Sequence, residues 1–343
     1  MNKNNQEYLI GRDNMAKKVT LDDIAAATNL SKFSVSRAIA GKSGISEETR
    51  KVVLEACERL GYVKKGSPSG NEKKYVLFVI PKIDAKDTTF WMKVILGVES
   101  DLTLRGYSLH LKVTDQSENG VAERELDGAA GVIFAGHKSL EYIDMLQKYN
   151  RPNLVLTYPP YNLFPYDTMY FADREGAYAL CERMLKMGHK RIAYLGSAER
   201  PSTKKRFAGV KEAISEYGVE LIKVWDQSDS IESEQVYEDL KRMKEEGSLP
   251  TLIMCSSDAK AQSLIFTLNR LGLEVPKDIS VTGYNSDLDE TETIPLTSIG
   301  FSKREYGRLA VHYLMEKMEN PWIPVRRISI IPQFSQGETA RKI

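Results

Sequence analysis

The sequence predicts an α/β protein with parallel sheets covered by helices on both faces, preceded by a small N-terminal all-α domain. Between residues 19 and 62, apolar residues follow helical spacing behind polar residues that begin helices. From residue 75 onward, short apolar runs alternate with longer helical segments. That alternation is typical of parallel strands buried on both faces.

The N-terminal domain is predicted to contain three short helices. Thr20 and Asp23 form a capping-box pattern that begins a helix running to about residue 27. Ser31 caps a second helix that ends at Gly41, and Ser46 begins a third. The spacing of apolar residues predicts a small shared core of Ile24, Leu30, Val35, Ile39, Val52, Val53 and Leu60. This is a helix-turn-helix pattern.

The second helix is the one expected to enter the major groove of DNA. Its serines and Lys32 suit phosphate oxygens, and Arg37 can reach a phosphate or a guanine edge. Phe33 has two interpretations that the sequence leaves open. It could pack on a thymine methyl group, or it could close the small core of the domain.

The segment resembles the DNA-binding headpiece of the lactose-repressor (LacI/GalR) family of bacterial transcription regulators. The resemblance rests on the run from Leu30 to Gly41 and on Ser46 to Tyr62, where Thr49, Arg50 and Val53 stand at family positions. It implies that Lys32, Phe33 and Arg37 read bases. It also implies phosphate contacts from Thr20, Ser31, Ser34 and Ser36.

Length and charge indicate a larger protein than a headpiece alone. The chain has 343 residues and a formal net charge of +1, enough for about two globular domains beyond the headpiece. Residues 15–65 carry ten Lys or Arg against six acids, whereas residues 1–14 are balanced, so the remainder carries −3. A basic end on a mildly acidic body favours attraction to DNA by one end.

The sequence predicts a cytoplasmic, bacterial nucleoid-associated protein. Cys57, Cys181 and Cys255 are far apart in apolar segments, which indicates reduced core residues. No apolar run is long enough to span a membrane, and no signal peptide is recognisable. Residues 1–17 are interpreted as a disordered or mis-assigned N-terminal extension, because they are polar and without pattern and Met15 offers a later start.

The core is predicted from two series of strands. The first comprises residues 75–80, 108–113, 131–135 and 153–157, and the second comprises 191–196, 221–225, 251–255 and 279–284. Helices are expected between them, at 90–105, 174–187, 203–217, 233–246 and 258–271. Ligands of such folds bind outside the carboxyl ends of the strands.

The family resemblance continues through this region, which looks like a type I periplasmic-binding-protein fold. Its landmarks are the runs Leu185–Ala193, Arg206–Gly209, Ser257–Asp258, Val275–Asn285 and Pro295–Ser298. The resemblance implies a headpiece at 18–63, a linker at 64–74 and an effector-binding and dimerisation core at 75–343. It places one subdomain at about 75–170 with 298–320, and the other at about 173–297 with 321–334.

The resemblance also implies a cleft between the subdomains that binds a small effector. Its predicted effector-binding residues are Phe90, Trp91, Thr157, Arg206, Ser257, Asp258 and Asn285. The aromatic pair would stack on a ring, although core packing is the alternative for both residues. Arg206 would bind hydroxyl groups or a carboxylate of the ligand, with a salt bridge to a neighbouring acid as its alternative. Replacing Trp91 or Arg206 is expected to abolish the ligand response without loss of the fold.

Departures from the family pattern concern the polar residues of this cleft. Ser257 stands where the family has asparagine, and Asn285 and Thr157 stand where it has acids. The loop 158–166 is unusually aromatic. A simple sugar is therefore in question, and a larger, anionic or aromatic ligand, or none, fits as well.

The sequence predicts a DNA-binding transcription regulator, a repressor, and not an enzyme. It contains no nucleophile elbow, phosphate-binding glycine loop or metal-spaced cluster, so no cofactor or metal is expected. The expected partners are a double-stranded DNA operator with two-fold-related half-sites, a second copy of the chain and a small-molecule effector, with no membrane. The alternative is control by a protein corepressor docking on the core, with a degenerate or empty cleft.

The linker departs most from the family. Relatives carry a short hinge helix whose leucines enter the minor groove. Residues 64–74 contain Gly66, Pro68 and Gly70 and no leucine. Gly costs a helix interior about 1 kcal/mol and Pro about 3 kcal/mol relative to Ala, so the hinge helix is not expected to form.

Overall fold

The chain forms two compact units, Met1–Glu72 and Lys73–Ile343. The computed structural model describes residues 19–39, 45–60, 62, 74–114, 123–136, 151–159, 161–197, 200–226, 234–286 and 295–343. The predicted N-terminal extension and almost the whole linker lie outside these ranges. No helix of the described residues is both long and apolar enough to cross a membrane.

The described residues of the first unit form three helices, α1 (Leu21–Thr28), α2 (Lys32–Ile39) and α3 (Glu47–Leu60). The predicted capping box is present, because Thr20 Oγ1 accepts from Asp23 N at 3.4 Å and Asp23 Oδ2 accepts from Thr20 N at 2.7 Å. Ser31 and Ser46 accept from the backbone N–H three residues later, each at 3.1 Å. Local polar residues therefore begin all three helices as predicted.

The core of this unit differs in part from the predicted one. Ile24, Val35 and Val53 are fully buried, and Leu30 and Ile39 pack partly buried against them. Val52 and Leu60 were wrongly predicted, since they are 48% and 37% exposed. Neighbouring residues of a helix point about 100° apart, so Val52 cannot face the core beside Val53. The small residues Ala38 and Ala56 complete the core instead.

The turn between α1 and α2 depends on Asn29, which adopts the left-handed conformation at φ 54° and ψ 35°. We expect Asn29→Val to destabilise the three-helix unit by about 1–2 kcal/mol, because a β-branched side chain clashes with the backbone there. Asn29→Gly should be tolerated. Amide hydrogen exchange of α1 and α2 in the full chain is the measurement. Ala27→Val, an exposed helical position, is the control, and equal losses of protection in both Val variants would contradict the prediction.

The second unit begins with a six-stranded sheet. Its strands are β1 (Tyr75–Pro81), β2 (Ser108–Thr114), β3 (Gly131–Ala135), β4 (Asn153–Leu156), β5 (Thr168–Phe171) and β11 (Arg327–Ile330). They pair in the order β11-β5-β4-β3-β1-β2, all parallel. Among the described residues, the helices of this first subdomain are α4 (Lys82–Ala85), α5 (Lys93–Leu104), α6 (Glu123–Gly128) and α11 (Lys303–Glu319). A π-helical turn, Thr88–Met92, precedes α5.

A second parallel sheet has the order β7-β6-β8-β9. Its strands are β6 (Ile192–Gly196), β7 (Leu221–Asp226), β8 (Leu252–Cys255) and β9 (Ser280–Thr282). Its helices are α7 (Asp173–Lys186), α8 (Pro201–Glu216), α9 (Glu234–Glu245) and α10 (Asp258–Arg270). Strands β10 (Ser298–Gly300) and β12 (Gln333–Ser335) pair antiparallel, and a bridge from Thr282 to Thr297 joins them to this second subdomain.

The chain crosses between the subdomains differently from the prediction. The strand at 327–330 was assigned to the second subdomain, but it pairs with β5 in the first sheet. Ile328 and Ile330 pack against the first core, which explains that position. Residues 298–300 were assigned to the first subdomain, whereas Ile299 packs in the second core. The short strands β5 and β12 were not predicted at all.

Two glycines allow α5 and α11 to pack closely. A Cβ on Gly97 would lie 2.1 Å from the carbonyl oxygen of Arg304, and one on Gly307 would lie 2.1 Å from that of Val94. Only glycine permits such an approach of two helix backbones. The contact fixes the N-terminus of α11 beside the helix that follows the π-helical turn, and both border the site described next.

Candidate functional site

The first candidate site is the exposed face of α2. Phe33 is 71% exposed, so it does not close the core, and the alternative in which it faces outward is the one observed. The guanidinium carbon of Arg37 lies 5.5 Å from the centroid of the Phe33 ring. Lys32 forms an exposed salt bridge with Asp22 at 2.8 Å. An aromatic ring and two cations therefore lie on the outside of one short helix.

The hydroxyl groups around this face have partly local roles. Ser31 and Ser34 are 2.9 Å apart through their Oγ atoms, and Ser31 also caps α2. Ser36 is exposed, and Thr20 caps α1. All seven residues predicted to contact DNA thus lie in α2 or at the start of α1 or α2, where hydroxyl groups and helix N-termini suit phosphate oxygens.

The second candidate site is a cavity of about 140 Å³ between the two subdomains. Five of the seven predicted effector residues line it, namely Phe90, Trp91, Thr157, Arg206 and Asn285. The other lining residues are Asp84, Asp87, Gly136, Leu156, Tyr158, Tyr170, Phe171, Asp173, Arg200, Pro201, Ser202 and Tyr306. The cavity lies at the carboxyl ends of strands β1, β3, β4 and β5, as expected for a parallel sheet.

Arg206 is held by groups of the protein itself. Its Nε donates to Asp173 Oδ1 at 2.8 Å, Nη1 to the carbonyl oxygen of Ser256 at 2.7 Å and Nη2 to Asn285 Oδ1 at 2.9 Å. Its guanidinium also lies 4.0 Å from the ring centroid of Tyr284. The predicted alternative, a salt bridge to a neighbouring acid, is therefore present in a residue that also lines the cavity.

This salt bridge is deeply buried, which changes one expectation from the sequence. The side chains of Arg206 and Asp173 are 7% and 1% exposed. Removing one partner would leave the other charge buried and unpaired. Replacement of Arg206 is therefore expected to affect the fold, contrary to the expectation that only the ligand response would change.

The aromatic residues of the cavity pack mainly on each other. Phe90 meets the ring of Trp91 edge-to-face at a centroid distance of 4.9 Å and that of Phe301 at 6.0 Å. Phe171 stacks on Phe301. The packing alternative for the Phe90–Trp91 pair is therefore present, and the same rings also form one wall of the cavity.

Ser257 and Asp258 do not line the cavity. Ser257 caps α10 by accepting from Lys260 N, and Ser298 Oγ donates to Asp258 Oδ1 at 2.6 Å. Both residues are used in joining α10 to the strands beside it. Sequence position alone could not separate these structural roles from ligand binding.

Several cavity residues were not predicted, although one signal could have found them. Asp84 follows β1, Tyr158 follows β4 and Arg200 follows β6, so each comes directly after the carboxyl end of a parallel strand. Arg200 Nη1 lies 3.9 Å from Asp84 Oδ1 across the cavity. That distance exceeds a hydrogen bond, so the two opposite charges form a loose ion pair at the wall of the cavity.

Desolvation raises the pKa of the Asp258 carboxyl group above its ordinary value. The folded protein therefore binds this proton more tightly than the unfolded chain, and stability is lost as the pH rises from about 4 through the folded pKa. We expect Asp258→Asn to remove this loss. Urea unfolding across pH should show the wild type falling relative to the variant in that window, with the exposed Asp127→Asn as control. A difference that is constant across pH would contradict the assignment.

His189 has a structural role. Its ring is fully buried, with Nδ1 3.1 Å from Thr251 Oγ1 and Nε2 3.0 Å from the carbonyl oxygen of Arg341. Burial lowers the pKa of this imidazole. Since both nitrogens are bonded within the fold and away from the cavity, His189 holds the C-terminal segment to the second subdomain.

Comparison with known proteins finds a match for each of the two units. Residues 20–65 match the family model described as bacterial regulatory proteins, lacI family. Residues 181–340 match the model of a periplasmic binding protein-like domain. The chain thus combines a DNA-binding domain of the lacI family with a periplasmic binding protein-like domain. The family resemblance noted from the sequence is thereby confirmed, as is the fold class.

Lac-family relatives match almost the whole chain. The HTH-type transcriptional repressor PurR of Mannheimia succiniciproducens is 29% identical over 344 residues, covering 94% of this chain and 99% of that protein. PurR of Vibrio vulnificus is 27% identical over 334 residues, with the same coverages. These relatives are transcriptional repressors and not enzymes, in agreement with the prediction for this chain.

Solved structures of lac-family regulators share the fold. A lac repressor dimer bound to operator and the anti-inducer ONPF superposes with a TM-score of 0.67 at 22% identity, covering 95% of this chain and 100% of that one. The CelR–cellobiose complex gives a TM-score of 0.64 at 22% identity, with coverages of 94% and 100%.

Proposed function

We propose that this lac-family regulator is a sequence-specific transcriptional repressor that binds a two-fold-related operator as a homodimer. Its affinity for the operator is set by a small molecule bound in the cavity between the subdomains. The observation that carries the proposal is the outward-facing Phe33, Lys32 and Arg37 on a short helix held by a buried core. The protein is expected in the cytoplasm, on the nucleoid.

Selection of bound sequences from random double-stranded DNA tests the DNA-binding part of the proposal. A symmetric pair of half-sites is expected, because one headpiece contacts too few base pairs for useful specificity. Binding should weaken steeply with salt, since the basic face releases counterions from phosphates. Recovery of no common sequence, or of single half-sites only, would contradict the proposal.

Apolar side chains at the free edges of both sheets support the homodimer. Leu111 and Val113 of β2 are 48% and 44% exposed, and Ile222 and Val224 of β7 are 36% and 41% exposed. β2 and β7 each end a sheet order, so within the part of the chain that the structure describes one edge of each strand has unpaired backbone groups. A second copy that covers both edges would remove these groups from water.

Analytical sedimentation of a Val113→Lys variant tests this surface. We expect the variant to shift from dimer to monomer, because an ammonium group would be buried in the interface. Leu163→Lys, at an 88% exposed position in the loop before β5, is the control. A wild-type monomer on operator DNA, or an unchanged dimer in the Val113 variant, would contradict the proposal.

The cavity supports a small effector with polar groups and a flat or apolar face. Arg200 offers a charged donor, and the Phe90–Trp91 wall offers apolar surface. Thermal unfolding with a panel of neutral sugars, phosphorylated sugars and purine bases tests this part. An effector at 100 times its Kd should stabilise the protein by about 2.7 kcal/mol. Trp91→Ala should lose that response.

One observation favours the second candidate, a regulator controlled by a protein corepressor. The cavity of about 140 Å³ is smaller than the roughly 300–1,000 Å³ of ordinary ligand sites. Three nitrogens of Arg206 already donate to protein groups. The second candidate predicts no thermal shift with any small molecule and a gain in operator affinity when a phosphocarrier protein is added.

The linker is proposed to tether the headpiece without a hinge helix, with lysines that attract the DNA backbone only. The basis is its sequence, with two glycines and a proline and no leucine at 64–74. Nothing apolar is available there to unstack a base step and stabilise a sharp bend. A circular-permutation gel-shift assay tests this part. A strong central bend in the operator would contradict it.

A further inference from the structure

Tyr158 joins the two subdomains at the point where the chain crosses between them. Its hydroxyl oxygen contacts the carbonyl oxygen of Phe171, the last residue of β5 in the first sheet. It lies 3.0 Å from Asp173 Oδ2 and accepts from Asp173 N at 3.3 Å, at the first residue of α7 in the second subdomain. Burial, reinforced by the charge of Asp173, raises the pKa of Tyr158, so the hydroxyl keeps its proton.

The contact continues as a chain of hydrogen bonds across the cavity. Asp173 holds Arg206 Nε with its other carboxylate oxygen, and Arg206 Nη2 donates to Asn285 Oδ1. Lys303 Nζ then donates to the carbonyl oxygen of Asn285 at 2.8 Å. Lys303 begins α11, which packs in the first core. This series of hydrogen bonds therefore begins in the first subdomain at Tyr158, passes through the second subdomain and returns to the first at Lys303.

This series of hydrogen bonds fixes Arg206 without using all the N–H groups of its guanidinium. A guanidinium has five N–H groups, and the three bonds to protein acceptors leave one on each terminal nitrogen, beside the cavity. The bonds of Tyr158 and Lys303 span the cleft, so both require one relative position of the subdomains. Breaking the hydrogen bond of Tyr158 or that of Lys303 removes one bond of ordinary strength. The ratio of closed to open molecules then falls about fivefold.

The geometry points to Tyr158 as a positioning residue of the cavity: through Asp173 it orients Arg206, and together with Lys303 it holds the two subdomains closed around the site. The inference rests on the proposed function only in taking this cavity as the effector site. It assigns to Tyr158 the coupling between the orientation of the ligand-facing guanidinium and closure of the cleft.

Acrylamide quenching of Trp91 in the full chain without effector or DNA is the test. Trp91 lines the cavity and is 9% exposed, whereas Trp225 is 3% exposed in the second subdomain. Trp322, 92% exposed, is first replaced by Phe to remove its signal. Tyr158→Phe should raise the quenching constant about twofold, because the cleft opens more often. Tyr170→Phe, which removes a hydroxyl group from the same cavity, should leave it unchanged.

Lys303→Met and the double variant separate positioning from mere packing. Lys303→Met should raise quenching like Tyr158→Phe, with Arg304→Met on the exposed neighbour as control. The double variant should show a quenching constant little above that of either single variant, because one broken bond already interrupts the hydrogen-bond series. Two independent sites would instead give additive effects. Additive effects, or equal quenching in Tyr158→Phe and Tyr170→Phe, would overturn the inference. The test uses no DNA, so failure of the repressor proposal would leave its result intact.

Discussion

Replacing Arg206 with Met is expected to lower the free energy of unfolding by about 3–5 kcal/mol, because it leaves the Asp173 carboxylate buried without its partner. Asp173 is 1% exposed, and its other oxygen is already bonded to Tyr158. The backbone oxygen of Ser256 and the amide of Asn285 also lose their donor. Urea unfolding of the full chain measures the change.

The neighbouring pair Arg174–Glu212 offers a matched control. It joins α7 to α8 at 2.8 Å, as the buried pair does, but its side chains are 52% and 36% exposed. Arg174→Met should therefore cost about 0–1 kcal/mol. An additional Asp173→Leu should recover part of the loss in Arg206→Met, because it removes the unpaired charge. A loss in Arg206→Met no larger than in Arg174→Met would show that the buried pair contributes little.

Replacing Arg37 with Ala is expected to weaken binding to the selected operator by about 1–3 kcal/mol, if the guanidinium is bidentate to a guanine. Phe33→Ala should relax the preference at one position and leave the salt slope unchanged, because a ring against a thymine methyl carries no charge. Gel-shift titrations on operator and random DNA measure both. The fold should survive, since Phe33 is exposed and Arg37 lies outside the core cluster.

Lys51 provides the control for charge alone. It is exposed on α3 and carries the same charge, so Lys51→Ala should weaken binding to operator and random DNA about equally and change the salt slope by at most about 1. Equal weakening on the two DNAs by Arg37→Ala and Phe33→Ala would mean that neither side chain reads a base.

The residue pattern predicted the three helices of the first unit, most of the longer helices of the second unit and most of its strands. Thr20, Ser31 and Ser46 begin helices through hydrogen bonds to residues three positions away, so the information is local. The buried strands of both sheets can be recognised as continuous apolar runs because helices cover both faces of each sheet. The location of the cavity followed from the rule that ligands meet the carboxyl ends of parallel strands, and five of its residues were named in advance.

Tertiary structure alone decided which strand joined which sheet and what Arg206 contacts. β11 pairs with β5 across more than 150 residues of chain, and its four residues carry no local signal for that partner. Asp173, Arg206 and Asn285 meet from three separate elements. Ser257 and Asp258 bond to Lys260 and Ser298 and do not line the cavity. Capping and periodicity depend on neighbours in sequence, whereas these contacts depend on how the two subdomains pack.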